Sequence, residues 1–154
     1  MPLIIANLQS SITDILTFVG ATQTKVPVPT LADKWSTAFD SYMRTISNPA
    51  SPALFTPAGF DAAKAAMQQS LLGMTAAPVA LAAFLAGFTA YVGIVAAVSA
   101  PFVSTPPIGP VPLPAALAVP APIPVSAAAA ALAIDTWVRT GTASIPPSPP
   151  LPWT

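Results

Sequence analysis

Five aspartates are the side chains of this sequence that could do acid, base or metal-binding chemistry. The chain of 154 residues contains no histidine, no cysteine and no glutamate, so it lacks the usual general base, the thiolate nucleophile and the soft metal ligands. Two aspartates close together could share a proton or hold a hard cation. The five lie in separate contexts without a D-x-D spacing: Asp14, Asp33, Asp40, Asp61 and Asp135. The sequence therefore predicts a protein that is not an enzyme and that uses no metal or cofactor.

The charged residues are few and balanced. Five aspartates are matched by five basic residues, and charged residues make up 6% of the chain, whereas soluble domains average about 25%. The basic residues are scattered, and binding to a phosphate backbone needs clusters of lysine and arginine. The sequence thus predicts no nucleic-acid partner. A chain with so little charge is expected to associate with other molecules.

One stretch, residues 65–134, runs for 70 residues without a charge. It begins as an Ala/Val/Leu run and continues as a proline-rich segment. A monomer of this size cannot bury so long an uncharged sequence within itself, and large exposed apolar surfaces mark contacts with protein or membrane. We therefore expect neighbouring protein or a lipid bilayer to cover it.

The first half of the chain reads as helices separated by prolines. Apolar residues recur at helical spacing over residues 3–19, 31–46 and 60–73. On the second of these helices Asp40 and Arg44 lie one turn apart, which predicts an ion pair on its wet face. Thr30 is the expected N-cap of that helix.

Residues 79–98 are the segment that could cross a membrane. Twenty uncharged residues at about 1.5 Å each match the roughly 30 Å of a hydrocarbon core. The nearest basic residues, Lys64 and Arg139, are too distant to set an orientation, and Tyr91 falls inside the run. The many small side chains suit close helix packing in lipid or in protein. The sequence favours a helix buried between subunits and keeps a bilayer span as the alternative.

Proline dominates two segments of the second half. Nine prolines between Pro101 and Pro124 disfavour helix and central strand, so residues 101–125 are predicted to form an extended polyproline-type arm. Ser126 is expected to cap an Ala-rich helix, and residues 142–154 are predicted to form a second extended tail. The apolar residues between the prolines predict that the arms lie in grooves of a partner.

These patterns predict a mainly α fold, in the form of an extended, non-compact helical chain with long proline-rich arms. Its segments are N-terminal helices (1–47), a helical apolar region (48–100), a proline-rich arm (101–125), an Ala-rich helix (126–141) and a proline-rich tail (142–154). Aromatic side chains and stiff proline contacts are typical anchors of tight interfaces. The predicted interface residues are Trp35, Phe39, Phe60, Pro106, Pro107, Pro110, Trp137 and Trp153.

Several short motifs in residues 56–154 resemble a known class of proteins. In order, they are Gly59-Phe60 opening a small-residue helix, Pro106-Pro107-Ile108-Gly109-Pro110, Asp135-Thr136-Trp137, Thr140-Gly141-Thr142 and Pro152-Trp153. Together they resemble the small Ala/Pro-rich virion structural proteins of contractile-tailed bacteriophages. The resemblance implies a non-catalytic part of a tail, baseplate or neck, present in several copies among other virion structural proteins. It implies no active-site residues.

The sequence therefore predicts a non-catalytic structural component that staples neighbouring subunits in a large assembly, with a tailed-phage virion as its location. The alternative is a small integral membrane protein with one span at about residues 79–98. A third interpretation is an extended adaptor that binds one soluble partner through its polyproline segments. Low charge, proline-rich arms and apolar helices are consistent with each of the three.

Overall fold

A computed structural model of the protein describes residues 4–21, 26–46, 58–74, 77–100 and 102–154. Over these residues the chain is mainly helical, as predicted, with one small sheet. The helices are α1 (Ile5–Ala21), α2 (Val28–Met43), α3 (Ala58–Leu71), α4 (Ala77–Ala97), α5 (Leu113–Leu117) and α6 (Ile123–Val138). The strands are β1 (Val103–Thr105), β2 (Thr142–Ser144) and β3 (Leu151–Pro152).

Prolines, rather than the predicted hydroxyl caps, mark the starts of α2 and α6. Each helix has proline in its first turn and begins before the residue expected to cap it, Thr30 for α2 and Ser126 for α6. Proline fits there because its fixed φ is already helical and its missing N–H is one that a first turn leaves unpaired. The predicted caps therefore lie inside the helices.

The described helices pack in an order that differs from their order in the chain. Contacts join α5 to α6, α6 to α1, α1 to α2, α2 to α3, and α3 to α4. We group them as unit 1 (α1 and α2), unit 2 (α3 and α4) and unit 3 (α5 and α6). In space, unit 1 lies between unit 3 and unit 2.

Aromatic side chains fill the space between α2 and α4. The ring of Phe39 lies 4.8 Å from that of Phe88 and 5.0 Å from that of Tyr91, and the ring of Trp35 lies 5.2 Å from that of Phe84, measured between centroids. Such pairs contribute about 0.5–1.5 kcal/mol each beyond the burial of their area. The aromatic stripe predicted on α2 is thus part of the chain's own core.

The segment predicted as an extended arm, 101–125, packs against the rest of the chain where the structure describes it. β1 pairs with β2 in antiparallel fashion, and α5 and the start of α6 occupy the later residues. The side chains of Phe102, Val111 and Leu113 are buried in the core. The structure therefore differs from the predicted extended, non-compact chain, because these three apolar residues are covered by the chain itself.

The C-terminal tail is also held by the chain. β3 pairs with β2, and the backbone N–H of Trp153 donates to the carbonyl of Gly141 at 2.9 Å. The Trp153 side chain is fully buried. Glycine is required opposite the indole, because a Cβ at position 141 would lie 2.8 Å from Cδ2 of Trp153. Trp153 is therefore a core residue of its own chain.

The second helix of each unit carries the same sequence pattern. Residues 28–45, 77–94 and 123–140 align without gaps, with a proline at the second position and an aromatic residue thirteen positions later. The prolines are Pro29, Pro78 and Pro124, and the aromatic residues are Tyr42, Tyr91 and Trp137. All three helices begin at the residue before their proline. The chain thus contains three copies of one helix pattern.

Candidate functional site

A buried aspartate on α2 binds a tyrosine and an arginine. The Tyr91 hydroxyl of α4 donates to Oδ1 of Asp40 at 2.7 Å, and Nε of Arg44 donates to Oδ2 at 2.8 Å. Arg44 also donates to the exposed carboxylate of Asp61 on α3. The predicted pair between Asp40 and Arg44 is confirmed. The prediction that this pair lies on a solvent-exposed face is wrong for the Asp40 carboxylate, which is buried under α4.

The same arrangement recurs on α6, at the aligned positions. The Tyr42 hydroxyl of α2 donates to Oδ1 of Asp135 at 2.6 Å, and Nε of Arg139 donates to Oδ2 at 2.8 Å. In both clusters the aspartate and the arginine lie one turn apart on one helix, and the tyrosine comes from a neighbouring unit. We call these two hydrogen bonds, from Tyr91 to Asp40 and from Tyr42 to Asp135, together with the residues that form them, the tyrosine–aspartate ladder.

The ladder joins helices of different units through hydrogen bonds to buried aspartates. Both oxygens of each aspartate accept at least one of these hydrogen bonds. Among the described residues no group of three acidic, histidine or cysteine side chains could hold a metal ion. Fully paired buried polar groups fix one arrangement of the elements that carry them. The ladder therefore sets the register between units 2, 1 and 3.

Burial raises the pKa of both tyrosines well above the usual value. The buried environment of Tyr91 has the largest effect, followed by its hydrogen bond to Asp40. The pKa of Tyr42 is raised by burial first and then by its hydrogen bond to Asp135. These are the two tyrosines of the chain. In the folded protein both hydroxyls therefore stay protonated to more alkaline pH than in the unfolded chain.

This difference predicts a loss of stability at alkaline pH. Unfolded tyrosine ionises near pH 10, so the tyrosines' contribution is fully present below about pH 10 and is lost as the pH rises above that value. We expect the free energy of unfolding from urea titrations to fall steeply above about pH 10. A double variant, Tyr42→Phe with Tyr91→Phe, should start lower and fall less, because it has no phenol to ionise. Equal slopes for the two proteins would contradict this assignment.

A cleft of about 290 Å³ lies between α1 and α2. It brings together Asp14 and Asp33, which are far apart in the sequence, beside Lys34 and three hydroxyl side chains. Lys34 also lies 4.7 Å from the centre of the Phe18 ring. Both carboxylates are exposed. Exposed carboxylates beside a lysine form an ordinary solvated face, and the cleft has no buried nucleophile or oriented base among its lining residues.

Five of the eight predicted interface residues lie in the core of the chain itself. These are Trp35, Phe39, Phe60, Trp137 and Trp153. Trp137 also donates from Nε1 to the carbonyl of Gly109 at 2.9 Å. Of the three prolines, Pro107 is buried while Pro106 and Pro110 are exposed. A partner can reach an anchor only if the anchor is accessible, so the aromatic side chains hold this chain's own helices together. A contact with another subunit through any of the eight stays a prediction.

Exposed apolar side chains form the surface that a partner could reach. Among the described residues, the large apolar side chains that are exposed are Val19, Leu72, Leu81, Val98, Val103, Ile108, Val119, Ile123, Val125 and Leu132. All but Val19 belong to the uncharged stretch 65–134. The absence of charge there was the signal, but only the structure shows which residues remain uncovered.

α4 is the helix, among the described residues, that is long and apolar enough to cross a membrane. Its residues Ala80–Ala97 have a mean hydropathy of 2.0, and 33% of them are buried within the protein. The buried side carries Tyr91 and packs on α2, while Leu81 and Thr89 on another side are exposed. A core helix at the end of a helical array and a membrane span would both have this composition.

Comparisons with protein families, curated proteins and solved structures find no match to this chain.

Proposed function

We propose that the protein is a non-catalytic structural component that binds neighbouring subunits in a large assembly. The observation that carries the proposal is the exposed uncharged surface formed by residues of the stretch 65–134. On α6, Val125, Ala129 and Leu132 lie on one exposed face, and Leu132 is 58% exposed. Soluble monomers rarely expose extended apolar surface, and such surface usually marks a contact with another molecule.

The assembly that the sequence supports best is a tailed-phage virion, with other virion structural proteins as partners and several copies per particle. The support for this assembly is the motif resemblance over residues 56–154. The ladder and the cleft offer no catalytic alternative. The loop 106–110 adds a surface for such contacts, because Pro106 and Pro110 are exposed and Ile108 between them is 81% exposed. Stiff exposed prolines lose little entropy when they bind.

The second candidate is a small integral membrane protein, which the length and hydropathy of α4 favour. A spanning helix must have its lipid-facing side free of charge, and α4 meets that condition. The two candidates differ in what covers the exposed apolar side chains. In an assembly component it is protein, and in a membrane protein it is lipid.

The proposed role predicts that the exposed face of α6 limits the solubility of the isolated protein. Introducing Val125→Lys together with Leu132→Lys should raise the soluble concentration several-fold at neutral pH, because the face then no longer needs a cover. Thr37→Lys is the matched control, since Thr37 occupies the aligned position on α2 and is already polar. The soluble concentration is measured after centrifugation of the purified proteins.

Two results, one from this experiment and one from circular dichroism, would contradict the proposal. A wild-type protein as soluble as the double lysine variant would show that the face needs no partner. A wild-type protein that gains helix, by circular dichroism, only when mild detergent is added would favour the membrane candidate.

A further inference from the structure

One row of α4 lacks the cover that the aligned rows of α2 and α6 have. Each row has three residues at aligned positions, one turn apart. The rows are Ala32, Ser36 and Asp40 on α2; Ala127, Ala131 and Asp135 on α6; and Leu81, Leu85 and Thr89 on α4. Every residue of the first two rows is buried. On α4, Leu81 is 50% exposed, Thr89 is exposed and Leu85 is half-buried. We call Leu81, Leu85 and Thr89 the end face.

On α2 and α6 the aligned row lies against a neighbouring unit. On α2 the row is covered from unit 2, with Tyr91 reaching Asp40. On α6 it is covered from unit 1, with Tyr42 reaching Asp135. Unit 2 is the last unit in the spatial order of the described helices. Its end face is therefore the position where the next set of helices would pack.

The opposite end of the array is already capped. Trp137 corresponds to the two ladder tyrosines, and its Nε1 donates to the carbonyl of Gly109 instead of to another helix. Thr140 accepts a hydrogen bond from the backbone N–H of Ile108 at 3.0 Å, and Val111 is buried. The proline-rich segment thus serves as the cap of unit 3. Helical arrays need polar terminal faces to stay soluble, and the uncharged end face does not meet this need.

We propose that a second copy of this chain covers the end face, so that two molecules pair α4 against α4 about a two-fold axis. The inference rests on the proposed role as an assembly component and identifies one of its contacts. The cap holds Trp137, the residue at the position of the ladder tyrosines, so Trp137 is not available to reach the end face of a second copy. A two-fold contact needs only the open face on each molecule.

The residues of α4 fit such a self-contact. The aspartate and the arginine of the aligned helices are replaced by Thr89 and Gly93. Two aspartates facing each other across a two-fold axis would repel, and this replacement removes that repulsion. Ala82, Ala86 and Gly93 lie beside the end face, and a Cβ at Gly93 would meet no atom within 4 Å. Small side chains allow two helix backbones to approach closely.

The chain contains no cysteine, so single introduced cysteines report the contact directly. Ala82→Cys, Ala86→Cys and Thr89→Cys place thiols along the exposed side of α4, and oxidation of dilute full-length protein is followed on non-reducing gels. We expect at least one of them to form covalent dimer with about tenfold higher yield than the controls, because a disulfide needs Cα atoms within about 7 Å. The controls are Thr37→Cys and Ser41→Cys, two exposed positions of α2 that lie outside both proposed contact faces.

A charge on the end face should dissociate the dimer. The wild type is expected to have the mass of two chains of 15.5 kDa by light scattering, in detergent-free buffer and at concentrations below its solubility limit. Thr89→Lys should raise the dimer dissociation constant at least about tenfold, because it buries an unpaired charge, and Thr37→Lys should not. Thr89 is exposed, so circular dichroism should show the same helix content in all three proteins.

The outcomes separate this inference from the proposed function. Equal cross-linking at α4 and control positions would overturn the two-fold contact and leave the assembly role standing. A dilute wild type that is monomeric and does not cross-link at α4 would also overturn the contact, and the lysine variants of α6 would still test the assembly role independently. Partition of the wild type into phosphatidylcholine–phosphatidylglycerol vesicles, without cross-linking at α4, would overturn it in favour of a bilayer as the cover.

Discussion

Replacing Trp153 with alanine is expected to lower the free energy of unfolding by about 3–5 kcal/mol. The indole is 0% exposed and is among the largest fully buried side chains of the protein. Its removal leaves a cavity beside Gly141 and frees the strand β3, whose pairing with β2 spans few residues. Domains of this size are stable by only about 5–15 kcal/mol. Urea denaturation followed by circular dichroism measures the loss.

The chain offers matched controls for this prediction. Trp153→Phe keeps most of the buried area and removes the indole N–H, which has no hydrogen-bond partner among the described residues, so its effect should stay below about 1.5 kcal/mol. Gly141→Ala should destabilise the protein by about 1–3 kcal/mol, because its methyl group would press on the Trp153 ring. Gly20→Ala, with open space on α1, should be neutral or stabilising by up to about 1 kcal/mol.

The stability of Trp153→Ala distinguishes a core residue from an interface anchor. If Trp153 bound another subunit, its replacement by alanine would leave the stability of the isolated chain unchanged and would reduce only its incorporation into particles. An unchanged urea midpoint for Trp153→Ala would therefore contradict the buried position of the indole.

Replacing Asp135 with alanine is expected to cost about 2–3 kcal/mol. The change leaves the hydroxyl of Tyr42 unpaired in the core, where the tyrosine is 0% exposed, and it also removes the partner of Arg139. An unsatisfied buried donor loses its hydration without a replacement bond. The free energy of unfolding at neutral pH, again from urea titration, is the quantity to compare.

Asp61→Ala is the control for the charge change. Asp61 is 82% exposed, and exposed ion pairs contribute about 0–1 kcal/mol. A double-mutant cycle with Tyr42→Phe isolates the ladder bond, and we expect a coupling of about 1–2 kcal/mol between positions 42 and 135. Equal losses for Asp135→Ala and Asp61→Ala, or a coupling near zero, would show that the ladder does not stabilise the fold.

The helices of the first half could be predicted from the sequence because their apolar residues recur at helical spacing. Which residues would cover their apolar faces could not be predicted. An aromatic stripe such as that of Trp35 and Phe39 looks the same whether it packs on its own chain or on another. The prolines after residue 100 predicted an extended polyproline-type arm, whereas the structure has β1, α5 and the start of α6 in that segment. They did not reveal that burial of Phe102, Val111 and Leu113 would hold this segment against the chain, since local propensity contains no information on tertiary contacts.

The candidate site could likewise be predicted only in part. The pairs of Asp40 with Arg44 and of Asp135 with Arg139 follow from their spacing of four residues on a helix. Their tyrosine partners lie 51 and 93 residues away in the sequence, so no local pattern could assign them. The threefold pattern that aligns these residues is present in the sequence, but in α4 it is obscured by the replacement of its charged positions by alanine, threonine and glycine.

The position of unit 1 between units 3 and 2 affects how the chain acquires its structure during translation. The apolar stripe of α1, made by Leu8, Ile12 and Ile15, packs partly on α6, which begins at Ile123. More than one hundred residues must therefore be synthesised before that contact can form. Contacts between residues so far apart in sequence slow folding. During synthesis, α1 of the central unit therefore keeps part of its apolar surface exposed until α6 has been made.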